Sequence, residues 1–269
     1  MTPQKRAIER KMGKLYADTT MHTIDFQPMI WVNWKKKEAR ITFNYSGRTR
    51  QPSLSDLMPL TDNSNPLYIT RGNPDLKQMF SHSVRVSFQH SKKGISANIG
   101  GQMEQNSVTQ VVLYDAKTGG RETSPINING NWNVYGSANW WKRLGHFSLR
   151  LDMNGNHSNR VSMINEDKSL EPKKSTTRDT GLGCDANVSY QPTWGGIDFS
   201  TSWNYQYSLN SINDNDTYTR NYSFRLEGYV DLPFGLQLRT DGAYSFRNGT
   251  NIRKGCLLYT SPSPRDMRR

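Results

Sequence analysis

Residues 126–153 read INING NWNVYGSANW WKRLGHFSLR LDM, and the alternation within them decides the fold class. Taken by twos, Ile126, Ile128, Trp132, Val134, Ala138 and Trp140 fall on one side. Asn127, Asn129, Asn131, Asn133, Ser137 and Asn139 fall on the other. A repeat of two is the side-chain period of a β-strand. After Trp141-Lys142-Arg143-Leu144-Gly145 the pattern resumes, with Phe147, Leu149, Leu151 and Met153 opposite Ser148, Arg150, Asp152 and Asn154. The stretch predicts one hairpin with an apolar and a polar face. A strand of a globular protein usually runs about 5–6 residues. These stripes run longer, into the roughly 9–11 residues that a tilted strand needs to cross a bilayer.

Working outward, four further hairpins follow the same plan. The first pairs Phe26, Pro28, Ile30, Val32 and Trp34 with Ala39, Ile41, Phe43 and Tyr45 around residues 35–38. The second pairs Val84, Val86 and Phe88 with Ile95, Ala97, Ile99 and Met103 around Lys92-Lys93-Gly94. Beyond the central hairpin, residues 182–190 pair with Ile197, Phe199, Trp203, Tyr205 and Tyr207 around Thr193-Trp194-Gly195-Gly196. The last pairs Tyr222, Phe224, Leu226 and Val230 with Leu236, Leu238, Tyr244 and Phe246. Its turn, Leu232-Pro233-Phe234-Gly235, has Pro where a type I turn accepts it and Gly where a three-residue hairpin needs a left-handed residue.

Long polar connections, rich in turn formers, separate the hairpins at about 48–82, 106–125 and 156–180. Ten strands joined alternately by tight turns and long loops give the rhythm of an all-β, antiparallel, up-and-down transmembrane β-barrel. Ten strands leave two unpaired edges, so the expected form is incomplete: an open curved sheet or a partial barrel. The turns near Lys36, Lys93, Arg143, Trp194 and Phe234 then lie in the periplasm, and the 48–82 loop faces the outside.

Bulk properties agree. Hydrophobic residues make up 34% of the chain, below the roughly 45–50% of soluble domains, and no run approaches the roughly 18 apolar residues of a membrane helix. A barrel whose strands show one face to a wet lumen has this composition. The formal charge of +12 would by itself point to nucleic acid. The cations instead gather in the opening segment, at turns (Lys35, Lys36, Lys37; Lys92, Lys93; Lys142, Arg143) and in a loop (Lys173, Lys174), which reads as solvated turns and argues against nucleic acid. The ten apolar stripes carry no Asp, Glu, Lys or Arg. Arg40, Arg85, Arg150, Asp152, Asp185, Asp198, Arg225, Glu227, Arg239 and Asp241 all fall on the opposite face. A soluble β-sandwich would segregate charge in the same way, so strand length and loop alternation carry the membrane reading. Cys184 lies on an apolar stripe and reads as a small hydrophobe.

Residues 1–23 are polar and basic, without the apolar core of about 7–15 residues of a signal peptide, and read as a lead-in from an upstream loop or strand. The partial barrel spans 24–253. The string Cys256-Leu257-Leu258-Tyr259-Thr260-Ser261-Pro262-Ser263-Pro264-Arg265-Asp266 resembles a translated sequencing adapter, so 256–269 is expected to be a library scar on a truncated gene.

Tyr45-Ser46-Gly47-Arg48-Thr49-Arg50-Gln51-Pro52-Ser53, followed by Asp62-Asn63-Ser64-Asn65-Pro66-Leu67 and Gly72-Asn73-Pro74-Asp75-Leu76-Lys77, resembles the barrel of TonB-dependent outer-membrane receptors. In those families a strand ends in an Arg-Pro-Ser-like step and a loop carries Gly-Asn-Pro-Asp-Leu; Gln51 departs from the commoner direct Arg-Pro. The resemblance covers roughly 23–253. It implies an active importer in a Gram-negative outer membrane, a large barrel closed by a plug domain that the coupling protein TonB engages. Neither plug nor coupling segment is visible in this sequence, so the expectation is a piece of the barrel that borders outer-membrane lipid, its own plug and an unidentified small solute. A passive porin or adhesin-like barrel is the first rival, and a soluble β-sandwich binding module the second.

The candidate lumen residues are Asn127, Asn129, Asn131, Asn133, Arg150, Asp152, Arg225, Glu227, Arg239 and Asp241, because amides and opposed charges offer donors and acceptors to a polar solute. A hydrated wall, or contact with the plug, is the favoured account of them, since polar lumens are the rule in such barrels. Arg50, Pro52, Gly72, Asn73, Pro74, Asp75 and Leu76 could touch ligand at the outer mouth, though Gly, Asn, Pro and Asp are ordinary loop punctuation. Tryptophans near strand ends fit interfacial girdles. His22, His82, His90, His146 and His157 show no metal-ligand spacing or acid–base pattern, and no catalytic, cofactor or metal constellation is expected.

Overall fold

The computed structural model describes residues 2–12, 15–58, 61–65, 67–114, 119–165, 171–212, 216–250 and 256–259; of residues 2–24, 61–65 and 256–259 it describes the backbone alone. The long extended segments pair into one antiparallel sheet. In chain order its strands are β3 (Met29–Lys36), β4 (Ala39–Arg50), β7 (Met79–His90), β8 (Ile95–Gln105), β11 (Asn131–Leu144), β12 (Phe147–Ile164), β13 (Lys173–Tyr190), β14 (Gly195–Asn210), β15 (Thr217–Leu232), β16 (Leu236–Gly249) and β17 (Cys256–Tyr259). Each pairs with the next and the sheet stays open, with β3 and β17 as its edges. The ten strands expected from alternation are β3 through β16 of this sheet, in the expected neighbour order.

Register turns the alternation into two chemically opposite faces. One row across ten strands runs Trp34, Ile41, Phe88, Ala97, Ala138, Met153, Cys184, Trp203, Tyr222, Phe246. One residue along, the row on the opposite face runs Asn33, Thr42, Ser87, Asn98, Ser137, Asn154, Gly183, Asn204, Asn221, Arg247. A one-residue slip of any strand would exchange its apolar-row residue for one from the opposite, mostly polar row.

Nothing in the described chain covers the apolar face. Ile99 is 58% exposed, Leu226 55% and Leu238 64%, so the stripe packs on no second layer. An apolar surface this continuous marks a membrane-facing wall. A soluble sandwich would place a second sheet over that face, and none lies there among the described residues.

Elsewhere the structure departs from the expectations. The connections 48–82 and 106–125 are not plain loops. They form α1 (Leu54–Leu57) and a separate sheet of β5 (Thr61–Asn65), β6 (Tyr68–Arg71), β10 (Arg121–Ile128) and β9 (Ser107–Tyr114), in that order, with β6 and β10 parallel. The small buried core lies here and where this cap meets the wall, in Leu57, Leu76, Val111, Ile128 and Val161. The connection 156–180 is also shorter than expected, since β12 and β13 stay paired from Phe147–Tyr190 to Ile164–Lys173. Pairing continues past the apolar stripe because backbone hydrogen bonds need no apolar face, and a search for alternation misses such polar ends.

Strands also occupy the two ends. β1 (Thr2–Met12) and β2 (Leu15–Asp25) form a hairpin of their own, where the polar sequence shows no apolar stripe. Cys256–Tyr259, expected to lack strand order, adds to β16 as a short edge strand. An open edge of unpaired backbone groups templates such an addition whatever the side chains. The remaining tail, 260–269, lies outside the described residues. In the last hairpin Gly235 is left-handed as expected, but so is Phe234 (φ 70).

Candidate functional site

The stretch 126–140, whose alternation predicts a single strand, is two. It breaks at Asn129–Gly130: β10 ends at Ile128 in the cap sheet, and β11 starts at Asn131 in the wall. Gly130 has φ +116, and a Cβ there would lie 2.9 Å from Val161 Cγ2, so the glycine permits both the turn and the close approach.

The break removes two asparagines from the expected lumen row. Asn127 pins the cap: its Oδ1 accepts from Lys77 N at 2.7 Å, and its Nδ2 donates to Lys77 O at 3.0 Å and Asn106 O at 2.9 Å. Asn129 Oδ1 accepts from Asn106 N at 2.7 Å. Asn131, on the wall side of the break, accepts from Val161 N at 2.8 Å. These three amides replace ladder bonds that the break costs. Asn133 alone of the four sits within the regular polar face, in register with Gln102 and Ser158.

The charged candidates do lie on one face. Rows run Arg150, Asn187, Ser200, Arg225 and, beside them, Asp152, Asp185, Ser202, Ser223, Ser245. All of these but Arg150 border a concavity of about 560 Å³, so the polar side of this part of the wall is the hollow side. Asp152 and Asp185 are directly opposite on neighbouring strands, a like-charge pairing that is unfavourable unless other groups offset it. Asn139 Nδ2 donates to Asp152 Oδ1. Arg225 pairs with Glu227 at 3.2 Å, both largely exposed, an ion pair of about 0–1 kcal/mol. Glu227 is in register with Asp198 and Asp241, while Arg239 faces Tyr229. The face thus carries two groups of neighbouring carboxylates, Asp152 with Asp185 and Asp198 with Glu227 and Asp241, among guanidinium groups and hydroxyls.

Nearer the loop end, Arg160 donates to Asp179 Oδ2, and Ser208 Oγ donates to Asp179 Oδ1 at 2.6 Å. With Asn156, Ser158 and Gln206 they line a second, almost wholly polar hollow of about 390 Å³. Two of its members, Arg160 and Asp179, fall within the connection 156–180, beyond the apolar stripes that alternation picks out. The parity of Arg160, Asp179 and Ser208 with Asp152, Asp185 and Ser202 was the available signal.

The loop motif is a structural clasp. Gly72 fits against Met58, whose carbonyl oxygen would lie 1.9 Å from a Cβ at that position. Asn73 N donates to Asp56 O at 2.6 Å, Asn73 Nδ2 to Pro125 O at 3.0 Å, and Asp75 N to Asn73 Oδ1 at 3.0 Å. After the turn at Pro74 and Asp75, Leu76 packs against Leu57. Arg50 and Pro52 line a separate hollow of about 350 Å³ between the end of β4 and β9, with Ser53 capping α1 through Asp56 N at 3.1 Å. The two halves of the motif therefore meet at α1.

Trp34, Trp132, Trp140 and Trp203 lie on the apolar face, whereas Trp31 and Trp141 share the parity of the polar one. Trp203 sits in the middle row, away from any strand end. His82, His146 and His157 bond to Tyr45, Gln191 O and Thr180 respectively, and among the described residues no three metal-ligating side chains converge. The side chain of His22 lies outside the described residues.

An antiparallel wall with an uncovered apolar face, a polar hollow face, short turns at one end and a folded cap at the other defines a transmembrane β-barrel protein. The profile of the outer membrane protein beta-barrel family matches residues 11–177, and the chain belongs to that family. Its place is the outer membrane. Comparisons with curated proteins and with solved structures gave no match. The alternation that defines the wall continues unchanged past the matched region to Gly249.

Proposed function

We propose that this chain forms part of the wall and outer cap of a TonB-dependent receptor that imports a small polar solute, and that it performs no covalent chemistry. The observation that carries this reading is the clasp: the Arg50-Gln51-Pro52-Ser53 step and Gly72-Asn73-Pro74-Asp75-Leu76, which resemble those receptors in order and spacing, interlock around α1 instead of lying as separate loops. The polar hollow face supports it, since a wall facing a plug and a solute path needs hydrated donors and acceptors. In this reading the partners are lipid, the receptor's own plug, TonB and the solute.

The test is genetic and uses the intact locus in its host. Growth on limiting metal chelates, vitamins, glycans and peptides is compared among the parent, a deletion of the locus and a TonB deletion. A nutrient for which the two deletions share one defect supports active import. Uptake that needs the locus but persists without TonB favours the passive porin, and a locus-dependent adhesion defect with no uptake defect favours the adhesin.

A further inference from the structure

Three hairpin turns that are far apart in sequence meet at one corner of the short-turn end. Ser91 N donates to Glu38 O at 3.0 Å, joining the β3–β4 turn to the β7–β8 turn, and Trp141 N donates to Gly94 O at 2.9 Å, joining the latter to β11. Between them lies an open concavity of about 1000 Å³ bordered by Lys36, Lys37, Lys92, Lys93, Lys142 and Arg143. Its one carboxylate, Glu38, accepts from Ser91 Oγ at 3.2 Å. Six cations against one acid is a strong local field, and the remaining two short turns, 191–194 and 233–235, contain no Lys or Arg.

Side-chain parity gives this field a direction. Lys36 and Lys142 are on the apolar face, two residues beyond Trp34 and Trp140 in the same strands. A lysine there lays its stem along the lipid boundary and lifts its ammonium to headgroup level. Indole rings beside it belong at the same depth.

The geometry points to a docking surface for anionic phospholipid headgroups of the periplasmic leaflet, with Lys36, Lys93 and Lys142 as the principal phosphate contacts. Charge complementarity and depth select the occupant: Lys36 and Lys142 follow Trp34 and Trp140 on the apolar face, the level where lipid phosphates lie, and Lys93 borders the same concavity from the neighbouring turn. Trp141 and Arg143 take the parity of the polar face, while Lys36 and Lys142, which carry the proposal, are on the lipid side of the wall, away from the hollow.

The full-length chain, reconstituted in phosphatidylcholine vesicles, tests this through tryptophan quenching by dibrominated phosphatidylglycerol against dibrominated phosphatidylcholine. The expected result is an affinity ratio favouring phosphatidylglycerol by about tenfold at low salt, since each basic residue near an anionic surface contributes appreciably. The ratio should fall towards unity in 1 M salt, where the screening length is about 3 Å. Lys36→Gln, Lys93→Gln and Lys142→Gln combined should abolish the preference, while Lys173→Gln with Lys174→Gln, at the opposite end, should preserve it. Circular dichroism identifies a triple variant that fails to fold, and the salt series on the unmodified chain then decides. A ratio near one at low salt, or a preference retained in the folded triple variant, overturns the proposal. So does a preference removed by millimolar inorganic phosphate at constant ionic strength, which would reveal a soluble-anion site instead.

Discussion

Placing arginine at Met153 should separate a membrane wall from a wetted sheet. Met153 is in the middle of the apolar row, between Ala138 and Cys184, and is 47% exposed. Little packing is lost when it changes. On β12 the apolar parity extends from Phe147 to His157, about 33 Å along the strand at roughly 3.3 Å per residue. At a tilt of about 40° this projects to about 25 Å, the height of the apolar band of outer-membrane barrels. Met153 then lies close to the midplane. Met153→Arg should cost about 2–4 kcal/mol in a bilayer, roughly thirtyfold to several-hundredfold in the folding equilibrium. The same side chain at Ser202, beside Asp185 on the polar face, should cost under about 0.5 kcal/mol. Urea titration of the chain folded in phosphatidylcholine vesicles, followed by tryptophan fluorescence, measures both. Equal costs for the two substitutions, or a negligible cost for Met153→Arg, would refute the assignment of faces.

Three further outcomes follow from individual contacts. Asn73→Ala removes the acceptor for Asp75 N and the donor to Pro125 O, so the cap should lose about 1–3 kcal/mol of local stability; limited proteolysis should then cut within 54–78 while amide exchange in β12–β14 stays unchanged. Phe234 holds φ 70 and is fully exposed, so Phe234→Asn should stabilise the last hairpin by up to about 1 kcal/mol, read as a higher urea midpoint. In a Cys256→Ser background, Cys184, in the apolar row, should react in vesicles with a membrane-permeant maleimide and resist a charged methanethiosulfonate. Equal rates for the two reagents would place it in water.

The wall was legible because its signal is local. Whether Leu149 or Arg150 faces lipid is settled by a period of two that each strand carries in itself, and no partner strand is needed to read it. The cap was not legible. Asn127 and Asn129 have the same parity as Asn133, and nothing in the local pattern distinguishes a strand from one broken at a glycine and split between two sheets. Ile126 and Ile128 likewise continue the stripe of Trp132 and Val134, yet Ile128, in the cap strand β10, is buried while Val134 is exposed on the wall. Alternation reports which side a residue takes, not what lies on that side.

From the sequence alone came the ten long strands of the wall, their pairing order, the opposition of faces and the five short turns. These depend on chain periodicity and on turn chemistry within a few residues. Only the tertiary structure decided where the hollow lies, how Gly72 through Leu76 clasp α1, and that lysines from three turns up to about a hundred residues apart share one corner. Those facts depend on cross-strand register, which is fixed by backbone hydrogen bonds between distant segments. The stretch 126–153 contains both cases: its second half, from Asn131 onward, obeys its own period, and its first five residues obey the cap they pack into.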